Sequence, residues 1–273
     1  MNILEKITIH KRKEVEERKV SLPVSSLEQS MYMERTIFSL KNKLASQDFG
    51  IIAEHKRQSP SKGIINPNVN VEAVVEGYVK AGATGCSVLT DEEFFGGSNA
   101  DLVHARQQVE APILRKEFII DEYQLVEAKA MGADVILLIA ECLSKEELKH
   151  LANFAKQLGL EVLMEIHSES QLEKLTDDVD IVGVNNRNLE TFEVSIETSL
   201  KLISKIPDSV VKISESGISD PLSVRLLNQA GYKGFLIGEH FMKQEDPAKA
   251  CKDFIAVIHQ MNSNSFSSEK FTP

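Results

Sequence analysis

The chain has 273 residues and a net charge of −10 at pH 7, from 31 basic and 41 acidic residues. This charge argues against broad nucleic-acid binding, which needs a basic face. It is compatible with a small anionic substrate, because a local cluster of lysine, arginine and backbone N–H groups can bind one on an acidic protein. A hydrophobic content of 42% and a charged content of 26% are typical of a globular protein with one large core.

The chain begins with a charged region and then becomes regular. Residues 1–45 are predicted to form extra helices, with Ile3, Leu4 and Ile7 spaced for one helix face. From residue 51 onward, short apolar runs that predict strands recur at similar intervals. The eight runs are residues 51–55, 86–90, 113–116, 134–140, 161–166, 181–185, 210–214 and 235–238.

Segments with helical spacing of apolar residues lie between these strands. The segment 221–231 carries the most signals, with Asp220 as its N-cap, Pro221 at its first position and a glycine at its end. The others are residues 71–82, 122–132 and 144–159. Strands that are apolar throughout and alternate with helices predict a parallel sheet covered by helices.

Eight strand–helix units predict an α/β fold, a (β/α)8 TIM barrel in one domain. The alternative is a doubly wound open sheet, which commonly has fewer strands and a glycine-rich turn after the first one. No GxGxxG motif follows residue 55. We expect residues 1–45 to be an N-terminal helical extension, 46–261 to form the barrel, and 262–273 to be a disordered polar tail.

The three cysteines are Cys86, Cys142 and Cys251, an odd number without a CxxC motif. A reduced, cytosolic chain with small buried thiols is therefore expected. The longest strongly apolar run, residues 135–140, is far shorter than the ~20 residues that span a bilayer. The charged N-terminus has no apolar signal-peptide region, so we expect a cytoplasmic protein without membrane or nucleic-acid partners.

Polar side chains cluster where the predicted strands end, which is where such barrels carry their catalytic groups. Side chains alternate between the two faces of a strand, so Glu54 and Lys56 share one face and His55 is expected to face the helices. The groups expected to meet in one mouth are Glu54, Lys56, Lys116, Glu165, Asn185, Arg187 and Glu215. Carboxylates and ammonium groups at short range shift one another's pKa, which suits general acid–base catalysis.

Short glycine turns follow the seventh and eighth predicted strands, at Ser216-Gly217 and Gly238-Glu239. Barrels commonly bind phosphate there through backbone N–H groups, so a phosphate site is predicted. No metal or cofactor is expected. The histidines form no HxxxH pair, and the chain has no calcium-loop spacing, P-loop or GxSxG elbow.

Eight segments at these strand ends together resemble the indole-3-glycerol phosphate synthase family. They occur in order, and the resemblance covers about residues 1–260. The segments are IIAEHKRQSPSKG (51–63), SVLTDEEFFGGS (87–98), LRKEFIID (114–121), LLIAECL (137–143), LMEIHSE (163–169), VGVNNRNLETFEV (182–194), KISESGI (212–218) and FLIGEHFM (235–242).

The resemblance implies a carboxy-lyase of tryptophan biosynthesis that acts on 1-(2-carboxyphenylamino)-1-deoxyribulose 5-phosphate. The ring carbon that bears the carboxylate attacks the C2′ carbonyl of the ribulose. Carbon dioxide leaves, water leaves next, and an indole ring results. The enzyme has to hold a carboxylate, protonate an oxygen, assist dehydration and fix a phosphate.

The resemblance also implies roles for the polar residues. Lys116 resembles the general acid of ring closure, and Glu165 resembles its base or electrostatic partner. Lys56, with Glu54 beside it, would contact the anthranilate carboxylate and is also a candidate acid for dehydration. The division of acid and base roles between Lys56 and Lys116 stays open.

The remaining implied roles concern binding. Three groups resemble substrate-positioning residues, and Arg187 would orient the carboxylates. The positioning residues are Asn185, Glu215 and Ser216. The phosphate would lie at Ser59, Gly217 and Gly238, with the backbone N–H of Glu239 nearby. The aromatic ring would lie between Phe95, Phe118 and Leu189.

Two residues depart from the family pattern: Glu117 stands where the family usually has aspartate, and His55 where it commonly has a hydrophobic residue or tyrosine. Two alternative functions stay open. One is a Schiff-base aldolase on the same fold, with Lys116 as nucleophile. The other is a barrel that binds a phosphorylated ligand without catalysis.

Overall fold

Eight parallel strands close into a barrel in the computed structural model, which describes residues 3–189 and 191–268, and their side chains to residue 261. Each strand pairs with its neighbours in chain order, and β1 closes the ring by pairing with β8, where Gly50 is opposite Gly234. The strands are β1 Gly50–His55, β2 Gly85–Leu89, β3 Ile113–Lys116, β4 Val135–Ile139, β5 Glu161–Ile166, β6 Ile181–Asn185, β7 Val211–Glu215 and β8 Gly234–Ile237.

These strands agree with the predicted apolar runs to within one residue at each end, and the predicted (β/α)8 barrel is confirmed. A short hairpin, Gln58–Ser59 with Gly63–Ile64, adds to the loop after β1. The α-helices are α1 Ile3–Ser21, α2 Val24–Leu27, α3 Leu40–Ala45, α4 Val71–Lys80, α5 Asn99–Gln108, α6 Glu122–Met131, α7 Lys145–Gln157, α8 Glu197–Leu202, α9 Pro221–Ala230, α10 Glu239–Met242 and α11 Pro247–Ser268.

The caps of α9 form as the sequence predicts. The Asp220 side chain accepts a hydrogen bond from the backbone N–H of Leu222, Pro221 occupies the first turn, and Gly231 ends the helix with φ = 119°. Three helices, α1 to α3, precede β1. The disordered tail predicted over 262–273 overlaps the end of α11, and residues 269–273 lie outside the described residues.

Helix α5 was missed in the sequence because its buried face combines Leu102 and Ala105 with two charged residues, which interrupt the apolar pattern. Asp101 and Arg106 are each only 6% exposed. The carboxylate of Asp101 pairs with Arg57 at 2.5 Å, and the guanidinium of Arg106 pairs with Asp134 at 2.8 Å. Burial of a charge is tolerated when it is paired in this way, but pairing cannot be read from helical periodicity.

Helix α3 lies at the amino-terminal end of the barrel. The backbone N–H groups of Leu40 and Lys41 donate to the carboxylate of Glu161, the first residue of β5. Leu40 and Leu44 belong to the apolar cluster inside the barrel, together with Ile52 and other strand residues. A second, larger cluster fills the space between the strands and the surrounding helices. No helix in the described ranges has the length and apolarity needed to cross a membrane.

Helix α1 packs over the opposite, carboxyl-terminal end and is fixed there by one buried lysine. The Lys11 side chain is fully buried, and its Nζ lies 2.8 Å from Glu14, 2.9 Å from Asp91 and 3.0 Å from Glu117. Burial alone would lower the pKa of Lys11, but the carboxylates of Glu117, Asp91 and Glu14 raise it, so the ammonium keeps its charge.

Replacing Lys11 with methionine should therefore destabilise the fold strongly. The change leaves the buried carboxylate of Asp91 without its lysine and leaves Glu117 with only Arg115, at 4.0 Å. Breaking a buried ion pair costs about 3–5 kcal/mol. Urea unfolding of both proteins measures the difference. Lys13→Met is the control on the same helix, because Lys13 is 79% exposed and its pair with Glu17 at 3.8 Å contributes about 0–1 kcal/mol. Equal effects of the two substitutions would contradict the anchoring role of Lys11.

Candidate active site

A cavity of about 470 Å³ opens at the carboxyl-terminal ends of the strands, and we call this end the mouth of the barrel. Every residue that the sequence analysis assigned to the site lines this cavity. These residues are Glu54, Lys56, Ser59, Phe95, Lys116, Phe118, Glu165, Asn185, Arg187, Leu189, Glu215, Ser216, Gly217, Gly238 and Glu239. The structure thus brings together groups from β1, β3, β5, β6, β7 and β8 and their following loops, and from the loop after β2.

The strand register arranges four of the charged residues as one layer. Glu54 on β1 is level with Ser87 on β2 and Leu114 on β3, and Lys116 lies two residues beyond Leu114. The same offset of two residues recurs at β5, β7 and β1, as expected for side-chain layers in such barrels. The layer consists of Glu54, Lys116, Glu165 and Glu215. We call it the charged layer.

Lys116 lies between two carboxylates of this layer. Its Nζ is 2.6 Å from Oε2 of Glu165 and 2.9 Å from Oε2 of Glu215. Asn185 holds the other oxygen of Glu165, with Nδ2 donating to Oε1 at 3.0 Å. One ammonium group therefore serves two carboxylates.

This imbalance gives the two carboxylates opposite pKa shifts. Burial alone would raise the pKa of Glu165, but Lys116 and then His167 outweigh it and lower the pKa to about 2. Burial raises the pKa of Glu215 to about 7, because Lys116 only partly offsets it and the charge of Glu165 adds to it. Burial would lower the pKa of Lys116, but Glu165, Glu215 and Glu54 raise it above its ordinary value. Near neutral pH, Lys116 and Glu165 are charged and Glu215 is close to its titration midpoint.

The fourth member of the layer, Glu54, forms a separate pair with Lys56. The Lys56 Nζ donates to Oε1 of Glu54 at 2.8 Å, and the Ser87 hydroxyl donates to Oε2 at 3.3 Å. His55 does not line the cavity and is 1% exposed. Burial, with a smaller contribution from Arg57, lowers the pKa of His55 to about 4, so its imidazole is uncharged. These positions agree with the alternation expected along β1.

The turn after β7 has a backbone that favours glycine. Ser216 and Gly217 both have left-handed φ angles, 67° and 71°. A Cβ atom on Gly217 would also collide with the side chain of Val194, from the loop after β6. On the neighbouring strands, Gly238 follows β8 and precedes α10, and Ser59 lies in the hairpin after β1. The first N–H groups of a helix have no partner within it, so the Glu239 N–H is available to an anion.

Arg187 makes a different contact from the expected one. Its Nη2 lies 3.6 Å from Oε2 of Glu239, and its Nη1 donates to the carbonyl of Phe192 at 3.2 Å. The backbone N–H of Arg187 donates to Oδ1 of Asn185 at 3.0 Å. Asn185, rather than the Arg187 guanidinium, is therefore the group that holds a carboxylate of the charged layer.

An apolar wall lies beside the charged layer. The rings of Phe95 and Phe118 are 5.9 Å apart between centroids and inclined by 39°. These two rings and Leu189 are predicted from the sequence. The contribution of α1, whose Ile3, Leu4 and Ile7 also line the cavity, is not. The apolar face of α1 was visible in the sequence, whereas the surface that it covers was not. In the described part of the chain, no group of three or more His, Cys, Asp or Glu side chains could hold a metal ion.

The sequence is similar to proteins of one family. The model of a family described as indole-3-glycerol phosphate synthase matches residues 4–254. A protein of that name from Bacteroides thetaiotaomicron is 48% identical over 257 residues, which cover 94% of this chain and 99% of the relative. Another, from Salinibacter ruber, is 43% identical over 253 residues, covering 92% of this chain and 94% of the relative.

Solved structures with low sequence identity share the fold. KGPDC from Streptococcus mutans aligns with a TM-score of 0.59 at 13% identity, covering 78% of this chain and 99% of the other. The alpha subunit of tryptophan synthase from Legionella pneumophila also has a TM-score of 0.59 at 13% identity, covering 82% of this chain and 98% of the other. These likenesses support the barrel fold alone.

Because Glu165 and Glu215 share the Lys116 ammonium, the difference in stability between the parent protein and Glu215→Gln should depend on pH. The carboxyl of Glu215 has a pKa of about 7 when folded and an ordinary value of 4.5. Between pH 5 and 8 the folded state therefore binds more protons than the unfolded chain. The parent should lose roughly 2 kcal/mol of stability relative to Glu215→Gln as the pH rises through this range. Urea unfolding at both pH values measures this.

Glu165→Gln tests the cause of this shift. The charge of Glu165 raises the pKa of Glu215, and Lys116 lowers it. Removing the Glu165 charge leaves Lys116 to Glu215 alone, so the pKa of Glu215 should fall and this variant should lose less stability than the parent between pH 5 and 8. A difference between the parent and Glu215→Gln that stays constant over this range would show that the pKa of Glu215 is not raised.

Proposed function

The chain belongs to the indole-3-glycerol phosphate synthase family, and from this premise we propose how its barrel mouth performs the reaction of that family. The reaction is a carboxy-lyase step of tryptophan biosynthesis on a phosphorylated small molecule, 1-(2-carboxyphenylamino)-1-deoxyribulose 5-phosphate. The observation that carries the proposal is the charged layer, in which Lys116 lies within 3 Å of both Glu165 and Glu215. The cytoplasmic location expected from the sequence is part of the proposal.

Substrate binding uses the two sides of the mouth. The phosphate lies against the turns at Gly217 and Gly238, where backbone N–H groups and the Ser59 hydroxyl can reach its oxygens. The anthranilate ring lies against the wall formed by Phe95 and Phe118. Holding both ends of the substrate brings the attacked carbonyl close to the ring carbon. Binding energy then offsets the entropy that is lost when the ring closes.

Lys116 acts as the general acid of ring closure. As the ring carbon attacks C2′, negative charge develops on the carbonyl oxygen, and the Lys116 ammonium donates its proton there. An alkoxide is a stronger base than an amine, so this transfer is downhill even though the pKa of Lys116 is raised. Glu165 and Glu215 hold Nζ in position, and loss of carbon dioxide then restores the aromatic ring.

The pair of Glu54 and Lys56 acts in carboxylate binding and in dehydration. Lys56 binds the anthranilate carboxylate, and its contact with Glu54 at 2.8 Å fixes the ammonium at the edge of the charged layer. Dehydration then removes a proton from C1′ and gives one to the departing hydroxyl. An adjacent carboxylate and ammonium can perform these two transfers, with Glu54 as base and Lys56 as acid.

The Schiff-base alternative requires a different lysine. A nucleophilic lysine has to be an uncharged amine, which proteins obtain by lowering its pKa through burial or a neighbouring cation. Lys116 instead has carboxylates on two sides and a raised pKa. This environment favours a proton donor. The non-catalytic alternative does not account for three buried carboxylates around two lysines, because an uncompensated buried carboxylate is costly.

The purified protein should form indole-3-glycerol phosphate from the anthranilate-ribulose phosphate without added metal or nucleotide. Indole fluorescence, which the substrate lacks, follows the product directly. The assay is run after treatment with a chelator so that a trace metal cannot contribute. Folded protein that gives no indole fluorescence would disprove the function.

Lys116→Met should reduce kcat by at least about a hundredfold, because it removes the proposed acid. Binding of a phosphorylated, non-reacting analogue should remain, because the phosphate turns and the aromatic wall are intact. Steady-state kinetics and calorimetric titration measure the two properties. The matched control is Lys212→Met, a strand lysine of β7 that pairs with Asp208 at 2.6 Å outside the cavity. Near-normal turnover of Lys116→Met would remove the role assigned to Lys116.

A further inference from the structure

Asn186 is the first residue after β6, and its side chain is buried behind the turn that follows β7. Asn185 and Arg187, on either side of it, line the active cavity, whereas Asn186 does not. Alternation of side chains along an extended chain explains this difference, because it turns the middle residue to the opposite face. The proposed function gives Asn186 no role.

The side-chain amide of Asn186 makes four hydrogen bonds, which is its full capacity. Its Nδ2 donates to Oγ of Ser214 at 2.9 Å and to the backbone carbonyl of Ser216 at 3.2 Å. Its Oδ1 accepts from Oγ of Ser199 at 2.8 Å and from the backbone N–H of Ser199 at 3.2 Å. Ser199 and Ser214 are themselves buried, and a buried polar network whose members are satisfied is rigid.

These contacts determine which way the amide faces. The backbone N–H of Ser199 can only donate, so the amide oxygen of Asn186 has to lie on that side. The Nδ2 group then faces the Ser216 carbonyl, which can only accept. An amide turned the other way would oppose two donors at Ser199 and two acceptors at Ser216. The hydrogen bond from Asn186 to Ser216 is therefore fixed by the network around it.

This hydrogen bond holds a residue with an uncommon backbone conformation. Ser216 has a left-handed φ of 67°, which residues with a Cβ atom rarely adopt. Such a conformation persists where the surrounding contacts impose it. The contact from Asn186 to the Ser216 carbonyl acts at this position, and it comes from a side chain that is only 2% exposed.

The same contact sets the direction of the next backbone N–H. A trans peptide group is planar, so the Gly217 N–H points opposite to the Ser216 carbonyl. That carbonyl points to Asn186, outside the cavity, and Gly217 lines the cavity. The Gly217 N–H therefore points away from Asn186, on the cavity side. It donates to no residue that the structure describes, which leaves it available to an anion.

We propose that Asn186 positions the Gly217 N–H for the substrate phosphate by holding the Ser216 carbonyl. The proposal rests on the proposed function, since it assumes that the phosphate lies at this turn. Asn186 does not touch the substrate and acts through the backbone of Ser216, so it is a positioning residue. Asn185, in contrast, holds Glu165 of the charged layer. Two adjacent asparagines thus act on the two ends of the site.

Binding measurements isolate the contribution of the phosphate. The probe is the substrate with its C2′ carbonyl reduced to an alcohol, prepared with and without the phosphate. Calorimetric titration gives a dissociation constant for each form, and we call the factor by which the phosphate tightens binding the phosphate gain. Asn186→Ala should reduce the phosphate gain at least about tenfold, because the Gly217 N–H is no longer aimed at a charged acceptor. Binding of the form without phosphate should change by less than about twofold.

Steady-state kinetics should show the same division. The contact between the Gly217 N–H and the phosphate is present both before and during ring closure, because the phosphate does not react. Loss of such a uniform contact raises KM and leaves kcat nearly unchanged. We therefore expect Asn186→Ala to raise KM by about the factor that the phosphate gain loses, with kcat within about threefold of the parent.

Asn186→Asp separates the donor from the rest of the side chain. Aspartate has nearly the same size and keeps an acceptor toward Ser199, but it cannot donate to Ser216. It should therefore reduce the phosphate gain at least as much as alanine does. Urea unfolding shows that each variant is folded, and Asn186→Ala decides the question if the buried charge of Asn186→Asp prevents folding.

Tyr232→Phe is the matched control in the same buried network. The Tyr232 hydroxyl donates to the carbonyl of Ser199 at 2.8 Å, so its removal disturbs the network without touching the bond to Ser216. This variant should be less stable in urea than the parent and should keep the phosphate gain within about twofold. An equal loss of phosphate gain in Tyr232→Phe and Asn186→Ala would mean that general stability, and not the Ser216 contact, is responsible.

Two further outcomes would overturn the role of Asn186. One is a phosphate gain in Asn186→Ala within about twofold of the parent value. The other is an equal loss of affinity for both forms of the probe. The proposed function fails separately, because calorimetry needs no turnover. A parent protein that bound the probe and made no product would disprove the function, and the binding data would still decide the role of Asn186.

Discussion

The sharing of one ammonium group by two buried carboxylates is the constraint on which the active site depends. Lys116 neutralises only one negative charge, and low solvent access prevents water from screening the other. Glu165, which Asn185 holds by a hydrogen bond, keeps its negative charge. The pKa of Glu215 is raised instead. Two carboxyl groups of the same kind therefore have different protonation states at neutral pH. An acid–base site needs this difference.

The side-chain layer directly beneath the charged layer provides space for these charged side chains. Register places side chains of the even-numbered strands there, namely Ser87, Leu137, Gly183 and Leu236. Two of the four are small. Ser87 donates a hydrogen bond to Glu54, and a Cβ atom on Gly183 would collide with Oε1 of Glu215. The next layer down is apolar, and it contains Ile52, Leu114, Leu163 and Ile213. The transition from core to site thus occurs within two layers of side chains.

Much of this arrangement follows from local rules in the sequence. The eight strands are continuous apolar runs, and the alternation of faces along β1 was enough to separate Glu54 and Lys56 from His55. The rules fail where a contact is long-range. Helix α5 buries charged residues in ion pairs, and Arg187 contacts Glu239, the first residue of α10. A single sequence gives no information on which loops meet.

The N-terminal helix shows how far such long-range contacts reach into the site. Lys11 binds Asp91, whose other oxygen accepts hydrogen bonds from the backbone of Phe94 and Phe95. It also binds Glu117, whose carboxylate accepts from the backbone N–H of Phe118.

One buried ammonium thus holds both carboxylates that fix the two aromatic residues of the wall. The Glu117 carboxylate contacts Lys11, the Thr90 hydroxyl and the backbone N–H of Phe118 together. Through these three contacts, one glutamate joins α1 to the aromatic wall.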